Sequence, residues 1–180
     1  MNILKKIINI IEKKFFYYKY LKKIGVKFGN NCLINKQTNF GSEPYLINIG
    51  NNFYCSSNIQ FVTHDGSINV IRNLYPEFKK HDLISPINIG DNVFLGINVI
   101  VLPGTNIEDN IIVGAGSIVK GHLISGHVYA GIPAKKICTL NEFKEKNKSV
   151  FIETKNLSYQ RKKKFLLKHF KNINSSRKRK

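Results

Sequence analysis

Between Ile89 and Leu123 every sixth position is apolar: Ile89, Leu95, Val101, Ile107, Val113 and Val119. Four residues after each lead stand Val93, Val99, Thr105, Ile111, Ser117 and Leu123, all small or branched. Helical side chains recur at about 3.6 residues and strand side chains at 2, so a helix does not produce a strict period of six and simple strand alternation does not need one. A three-faced coil does, with one unit per face and the lead side chain inward at every corner. Such coils are stable only when they stack. The period extends backwards through Ile49, Cys55 and Phe61, with Phe53 and Ile59 in the second inward slot, and through Phe28, Ile34 and Phe40, with Cys32 and Thr38 behind them. Twelve units over four turns predict an all-β solenoid; a β-sandwich of short strands needs no fixed spacing. Phe28-Gly29-Asn30-Asn31, Ile49-Gly50-Asn51-Asn52 and Ile89-Gly90-Asp91-Asn92 recur at the corners, where Gly, Asn and Asp tolerate left-handed backbone.

The period breaks twice. Phe40 and Ile49 are nine residues apart, so three extra residues bulge out around Gly41-Ser42-Glu43-Pro44. Phe61 and Ile89 are twenty-eight apart, so residues 65–86 must leave the coil as an external loop. Long loops on rigid frames are where function concentrates. This one starts at Thr63-His64-Asp65-Gly66 and carries Arg72, Tyr75, Pro76, Lys79, Lys80 and His81.

The flanks differ from the coil. Leu4, Ile8, Ile11, Phe15 and Tyr18, with Ile3 and Ile7 beside them, predict an amphipathic helix over residues 1–23, a cap for the open end of the coil or a membrane-surface element. Residues 140–180 read as a basic tail, helical over about 155–171 and disordered from Ser175 to Lys180. The formal charge of +18 resides in these arms, which carry +17, while residues 24–139 carry +1. The arms hold no groove-reading motif, which argues against nucleic acid as a partner. Cys32, Cys55 and Cys138 form no pairing pattern and fit a reducing compartment. Lys5, Lys6 and Glu12 interrupt the first apolar stretch and no small-residue cleavage site follows it, so neither a secretion signal nor a membrane span is expected.

Residues 24–139 resemble the hexapeptide-repeat acyltransferases, in particular the galactoside, maltose and xenobiotic O-acetyltransferases and the sugar O-acetyltransferases of bacterial polysaccharide gene clusters. The stretches that carry the resemblance are Ile-Gly-Asp-Asn-Val-Phe-Leu-Gly (89–96), Val-Leu-Pro-Gly-Thr-Asn-Ile (101–107), Val-Gly-Ala-Gly-Ser-Ile-Val (113–119) and Ala-Gly-Ile-Pro-Ala-Lys (130–135), with Phe-Gly-Ser-Glu-Pro-Tyr-Leu-Ile (40–47) and Phe-Val-Thr-His-Asp-Gly (61–66). The resemblance implies a left-handed parallel β-helix, a homotrimer, and acetyl-CoA as co-substrate between two subunits with no metal. It implies that the histidine before the external loop, His64, is the general base. Acyl transfer to a hydroxyl needs a base near neutral pKa, and a thioester is already activated, so no covalent enzyme intermediate is required.

Glu43 and Asp65 are the two candidates to orient His64. Neighbours on an extended strand point to opposite sides, which favours Glu43. Asn39 occupies a place similar to the family's acceptor-binding Asn, and Asp65 and Arg72 stand where they can meet the acceptor. For the co-substrate, Gly96, Ile97, Gly114, Ala115, Gly116 and Pro133 supply small or backbone surfaces, and Lys120, Lys135 and Lys136 charges for phosphate. Two positions depart from the family pattern: Phe94 replaces a common Trp and Ile97 a common polar residue, leaving oxyanion stabilisation to backbone N–H near Gly96 or Ile97. The expected activity is O-acetylation of a sugar or polysaccharide-precursor hydroxyl by a cytoplasmic enzyme, with contact between the basic arms and an anionic inner leaflet as a further expectation. The alternatives are N-acetylation of an amino sugar or xenobiotic, and a non-catalytic β-helix scaffold.

Overall fold

The computed structural model describes residues 11–13 and 15–177, with side chains as far as Lys171. The chain forms two compact units that divide after Phe143.

In the first unit, helix α1 (Tyr17–Lys23) leads into thirteen short strands. Strands β1 (Lys27–Phe28), β2 (Ile47–Ile49), β5 (Ile87–Ile89), β8 (Asn106–Ile107) and β11 (His122–Leu123) form one sheet. Strands β4 (Gln60–Phe61), β7 (Ile100–Val101) and β10 (Ile118–Val119) form a second. Strands β3 (Tyr54–Cys55), β6 (Val93–Leu95), β9 (Ile111–Val113), β12 (His127–Gly131) and β13 (Ala134–Thr139) form a third. From β2 to β12 successive strands visit the three sheets in rotation, and all pairs are parallel except β12 with the closing strand β13. Partners are 18 residues apart in uninterrupted turns (Ile89↔Ile107), 21 across the bulge (Phe28↔Ile49) and 40 across the loop (Ile49↔Ile89). The insertions therefore leave the coil without shifting its register.

The predicted core is observed except at Phe28, a lead residue of the first turn that is only partly buried. Every lead residue from Ile89 to Val119 and every second-slot residue from Val93 to Leu123 is buried, as are Ile47 and Ile87, the second-slot residues that precede Ile49 and Ile89. The buried hydroxyls are all satisfied: Thr105 Oγ1 donates to Leu102 O (2.6 Å) and Ser117 Oγ to Gly114 O (2.7 Å). A buried polar side chain with a partner is cheap to accommodate, and one without is not. Cys32 and Cys55 are buried free thiols, and burial raises the pKa of Cys55.

The corners take the left-handed backbone expected of them, at asparagine or glycine: Asn31, Asn52, Asn58, Asn92, Asn98 and Asn110 have φ between 53° and 61°, and Gly104 and Gly116 stand in the same series at 73° and 70°. Gly29, Gly50 and Gly90 have no such φ; they are small because the next turn's side chain presses on them. A Cβ on Gly50 would fall on Asp91 Oδ1, and one on Gly90 on Asp109 Oδ1. Those carboxylates accept the backbone N–H of Asn51 and Asp91 in the turn above, each at 2.7 Å. The Gly-Asn/Asp pair thus ties each corner to the next.

At the N-terminal side, Leu4 and Ile8 of the expected stripe lie outside the described residues. Ile11, Phe15 and Tyr18 are exposed, whereas Tyr17 and Leu21 are buried. The helix breaks at Phe16 (φ −128°, ψ 51°), so one stripe cannot run through both segments. α1 then ends in paired reverse hydrogen bonds, Gly25 N to Lys22 O and Val26 N to Leu21 O, both 3.1 Å, with Gly25 at φ 95°.

Helix α3 (Leu140–Asn147) runs across the boundary between the units, and helix α4 (Tyr159–Arg177) makes up much of the second. α4 continues through Ser175 and Ser176, expected to be disordered, because no Gly or Pro stops it. Among the described residues no helix is long and apolar enough to cross a membrane.

Candidate active site

The external loop leaves and rejoins the coil through a short antiparallel ladder: Ser85 N donates to Thr63 O (3.0 Å), Asp65 N to Leu83 O (2.8 Å), and His64 bridges Ile84. His64 is thereby fixed at the mouth of the loop. The loop is ordered, with helix α2 (Ile68–Leu74) and a single 3₁₀ turn (Pro76–Phe78).

The bulge brings a carboxylate to the same place. Gly41 (φ 67°) crosses the next turn so closely that a Cβ would lie 2.9 Å from Phe61 O. Asn39 braces it, accepting Gly41 N–H (3.0 Å) and donating to Gln60 Oε1 (3.0 Å). A cleft of about 170 Å³ opens beside Asn39 and Gly41 under α1. Past the bulge, Glu43 Oε2 accepts hydrogen bonds from Thr63 Oγ1 (2.8 Å) and Ser42 Oγ (2.9 Å). Its Oε1 lies 3.5 Å from His64 Nδ1, with the Glu43 side chain only 12% exposed. On the other side of the ring, Asp82 Oδ1 lies 3.6 Å from His64 Nε2.

Asp65 is placed elsewhere. Its Oδ1 accepts Ser67 N–H (2.9 Å) at the head of α2, and that hydrogen bond, helped by the charges of Lys120 and His64, holds its carboxyl below the usual range. Arg72 is used within the loop: its guanidinium pairs with Asp82, donates to His81 O (2.7 Å) and donates to Asn69 Oδ1 (2.7 Å). Asp82 and Thr63 are the residues that sequence reasoning missed. No spacing announces Asp82, because the path of the loop that returns it to His64 has no period.

Most of the residues expected to meet the co-substrate lie in one column. A Cβ on Gly96 would be 2.5 Å from Ala115 N, and one on Gly114 would be 2.9 Å from Ala130 Cβ. Ala130 pairs with Lys135 across the closing hairpin. Small residues therefore run down one edge and end at an exposed lysine. Lys136 is the next residue on β13, opposite Tyr129, and Pro133 lies at the hairpin turn. Lys120 is outside this column, within electrostatic reach of Asp65. Of the two backbone candidates for the oxyanion, Gly96 N–H already donates to Val113 O (2.9 Å), whereas Ile97 N–H has no partner among the described residues. Among the described residues no group of three or more His, Cys, Asp or Glu could hold a metal ion.

Residues 86–120 match the family description "Hexapeptide repeat of succinyl-transferase". The chain is 41% identical over 153 residues to Protein CapG of Staphylococcus aureus, covering 84% of this chain and 87% of CapG. It is 31% identical over 138 residues to galactoside O-acetyltransferase of Escherichia coli (strain K12), covering 68% of each. The chain belongs to the hexapeptide-repeat acetyltransferases. The fold of the acetyltransferase coil agrees with a solved hexapeptide-repeat-containing acetyltransferase of Vibrio cholerae O1 biovar eltor, complexed with acetyl coenzyme A. That match has a TM-score of 0.60 at 18% identity and covers 73% of this chain and 83% of the other.

Proposed function

We propose that this acetyltransferase moves an acetyl group from acetyl-CoA to a hydroxyl of a sugar or polysaccharide precursor, with His64 as general base. The observation that carries the reading is the ring of His64, backed at Nδ1 by Glu43 and turned through Nε2 toward the loop. Nε2 takes the proton as the acceptor oxygen attacks the thioester carbon, and Glu43 stabilises the imidazolium. Ile97 N–H meets the oxyanion. When the tetrahedral species collapses, the C–S bond breaks and the imidazolium returns its proton to the CoA thiolate. No enzyme-bound acyl group forms. Pantetheine follows the small-residue column and Lys135 takes a phosphate.

The proposed assembly is a homotrimer of left-handed parallel β-helices with co-substrate between subunits. Support comes from the outward face of the third sheet, where Leu33 and Tyr54 are exposed and the Tyr54 ring packs at a tilt against Phe94 (5.2 Å), an apolar stripe suited to a second copy. We place the enzyme in the cytoplasm, with the basic arms on an anionic membrane. In α4, exposed Phe165, Leu167 and Phe170 alternate with Arg161, Lys162, Lys163, Lys164 and Lys168. Sedimentation with anionic vesicles, lost at high salt, tests that contact; protein left in the supernatant at low salt refutes it.

The deciding experiment is thiol release from acetyl-CoA against a panel of sugars and glycosides, with products identified by mass spectrometry. Ester-linked acetyl on a sugar is expected. Acetyl found only on amines contradicts the assignment to hydroxyls.

A further inference from the structure

Asp82 has no part in the transfer step, although its carboxylate stands beside the proton-accepting nitrogen of His64. Its Oδ1 and His64 Nε2 are 3.6 Å apart, beyond hydrogen-bond distance. Asp82 Oδ2 has no partner among the described residues, and the side chain is about half exposed. Two hydrogen-bond acceptors, His64 Nε2 and the Asp82 carboxylate, thus stand side by side at the mouth of the loop. Their separation is of the order of that between oxygens on adjacent carbons of a sugar ring.

Asp82 is also held more firmly than a loop carboxylate needs to be. Arg72 on α2 pairs with it, clasps the preceding residue through His81 O, and is itself held by Asn69. The ring of Phe78 packs edge-on against His81 (5.3 Å). Each guanidinium nitrogen of Arg72 already has a partner, so Arg72 positions Asp82 rather than binding the acceptor itself.

We infer that Asp82 is an acceptor-reading residue: the hydroxyl to be acetylated sits on His64 Nε2 while the hydroxyl next to it donates to Asp82. The substrate class is then a neutral vicinal diol, one oxygen reacting and its neighbour recognised. Glu43 and Asp82 flank the His64 ring, so an acceptor with a carboxylate or phosphate beside the reacting hydroxyl meets like-charge repulsion. The inference rests on the proposed sugar O-acetyltransferase activity.

The test uses the full chain, acetyl-CoA and a panel of methyl hexopyranosides and methyl N-acetylhexosaminides. The best acceptor is compared with analogues that each lack one hydroxyl. A hydrogen bond to a charged partner is worth about 1.5–3 kcal/mol, roughly 10- to 150-fold. Wild type should lose that factor in kcat/KM when the neighbouring hydroxyl is missing. Asp82→Ala should treat the two acceptors nearly alike, and Asp82→Asn should keep part of the discrimination because the amide oxygen still accepts. Arg72→Gln should raise the acceptor KM more than it lowers kcat. The KM for acetyl-CoA should stay constant in all three variants, which separates recognition from misfolding. Undiminished discrimination in Asp82→Ala overturns the inference and leaves the proposed activity standing. Failure of the wild type to acetylate any sugar, while it still binds acetyl-CoA, overturns both.

Discussion

Replacing Glu43 by Gln keeps the shape of the side chain and an oxygen for Thr63 Oγ1, removes the charge beside His64 and sets an amide N–H where an oxygen faced Nδ1. Two unit charges 3.5 Å apart attract by about 5 kcal/mol at an effective dielectric of 20. That is a ceiling, because a third of the His64 side chain is exposed and water screens the pair. Screening to between a quarter and a half leaves roughly 1–2.5 kcal/mol, or about 5- to 70-fold in rate. The attraction matters only once the imidazolium forms, so the loss belongs in kcat. The KM for acetyl-CoA should move little, since Glu43 lies outside the small-residue column. Thiol release at saturating acetyl-CoA measures the effect, with thermal melts confirming an intact coil. A Glu43→Gln enzyme that keeps more than half of the wild-type kcat would refute the role of Glu43 as the partner that orients and stabilises His64.

Gly90→Ala drives a methyl group onto Asp109 and should cost about 1–3 kcal/mol, whereas Gly66→Ala, with nothing within 4 Å, should leave the melting temperature nearly unchanged. Asp91 and Glu108 are held below their ordinary pKa values of 3.8 and 4.5 chiefly by the backbone N–H groups of Asn51 and Ser125. The unfolded chain therefore binds protons more readily there. Their stabilisation is complete above the ordinary carboxylate range and disappears as pH falls through the lower folded values. Melting temperature should fall below pH about 4, and less steeply in Asp91→Asn; a rise between pH 5 and 3 would contradict this. Lys135→Ala should raise the KM for acetyl-CoA more than it lowers kcat, and the rise should vanish with a dephosphorylated co-substrate; equal changes with both would remove Lys135 from phosphate binding.

The coil was legible in the sequence because its information is periodic. Each inward slot recurs at a fixed distance, so Ile89, Leu95 and Val101 predict Ile107, Val113 and Val119, and the two interruptions locate the bulge and the loop. The corners were legible by residue type and only in part by cause: asparagine, or a glycine such as Gly104, takes the left-handed turn, whereas Gly50 and Gly90 make room for a carboxylate from the next turn. Glu43 and His64 could be paired because both stand at breaks in one period. Asp82 could not, since seventeen residues of aperiodic loop separate it from His64. Arg72 looked like an acceptor ligand because sequence does not show that Asp82, His81 and Asn69 already occupy it. The N-terminal stripe failed at Phe16, where a change in two backbone angles resets the helical phase.

The account turns on His64. In His64→Ala the coil, held by residues on the inward slots, should melt as wild type does and bind acetyl-CoA with the same affinity. Loss of a general base lowers rate by about 10²–10⁴, so the measurement is single-turnover acetyl transfer to the best sugar acceptor by wild type and His64→Ala at equal occupancy of acetyl-CoA. A fall of at least about a hundredfold at unchanged acetyl-CoA affinity is the predicted result. Transfer by His64→Ala at more than a tenth of the wild-type rate would contradict the account.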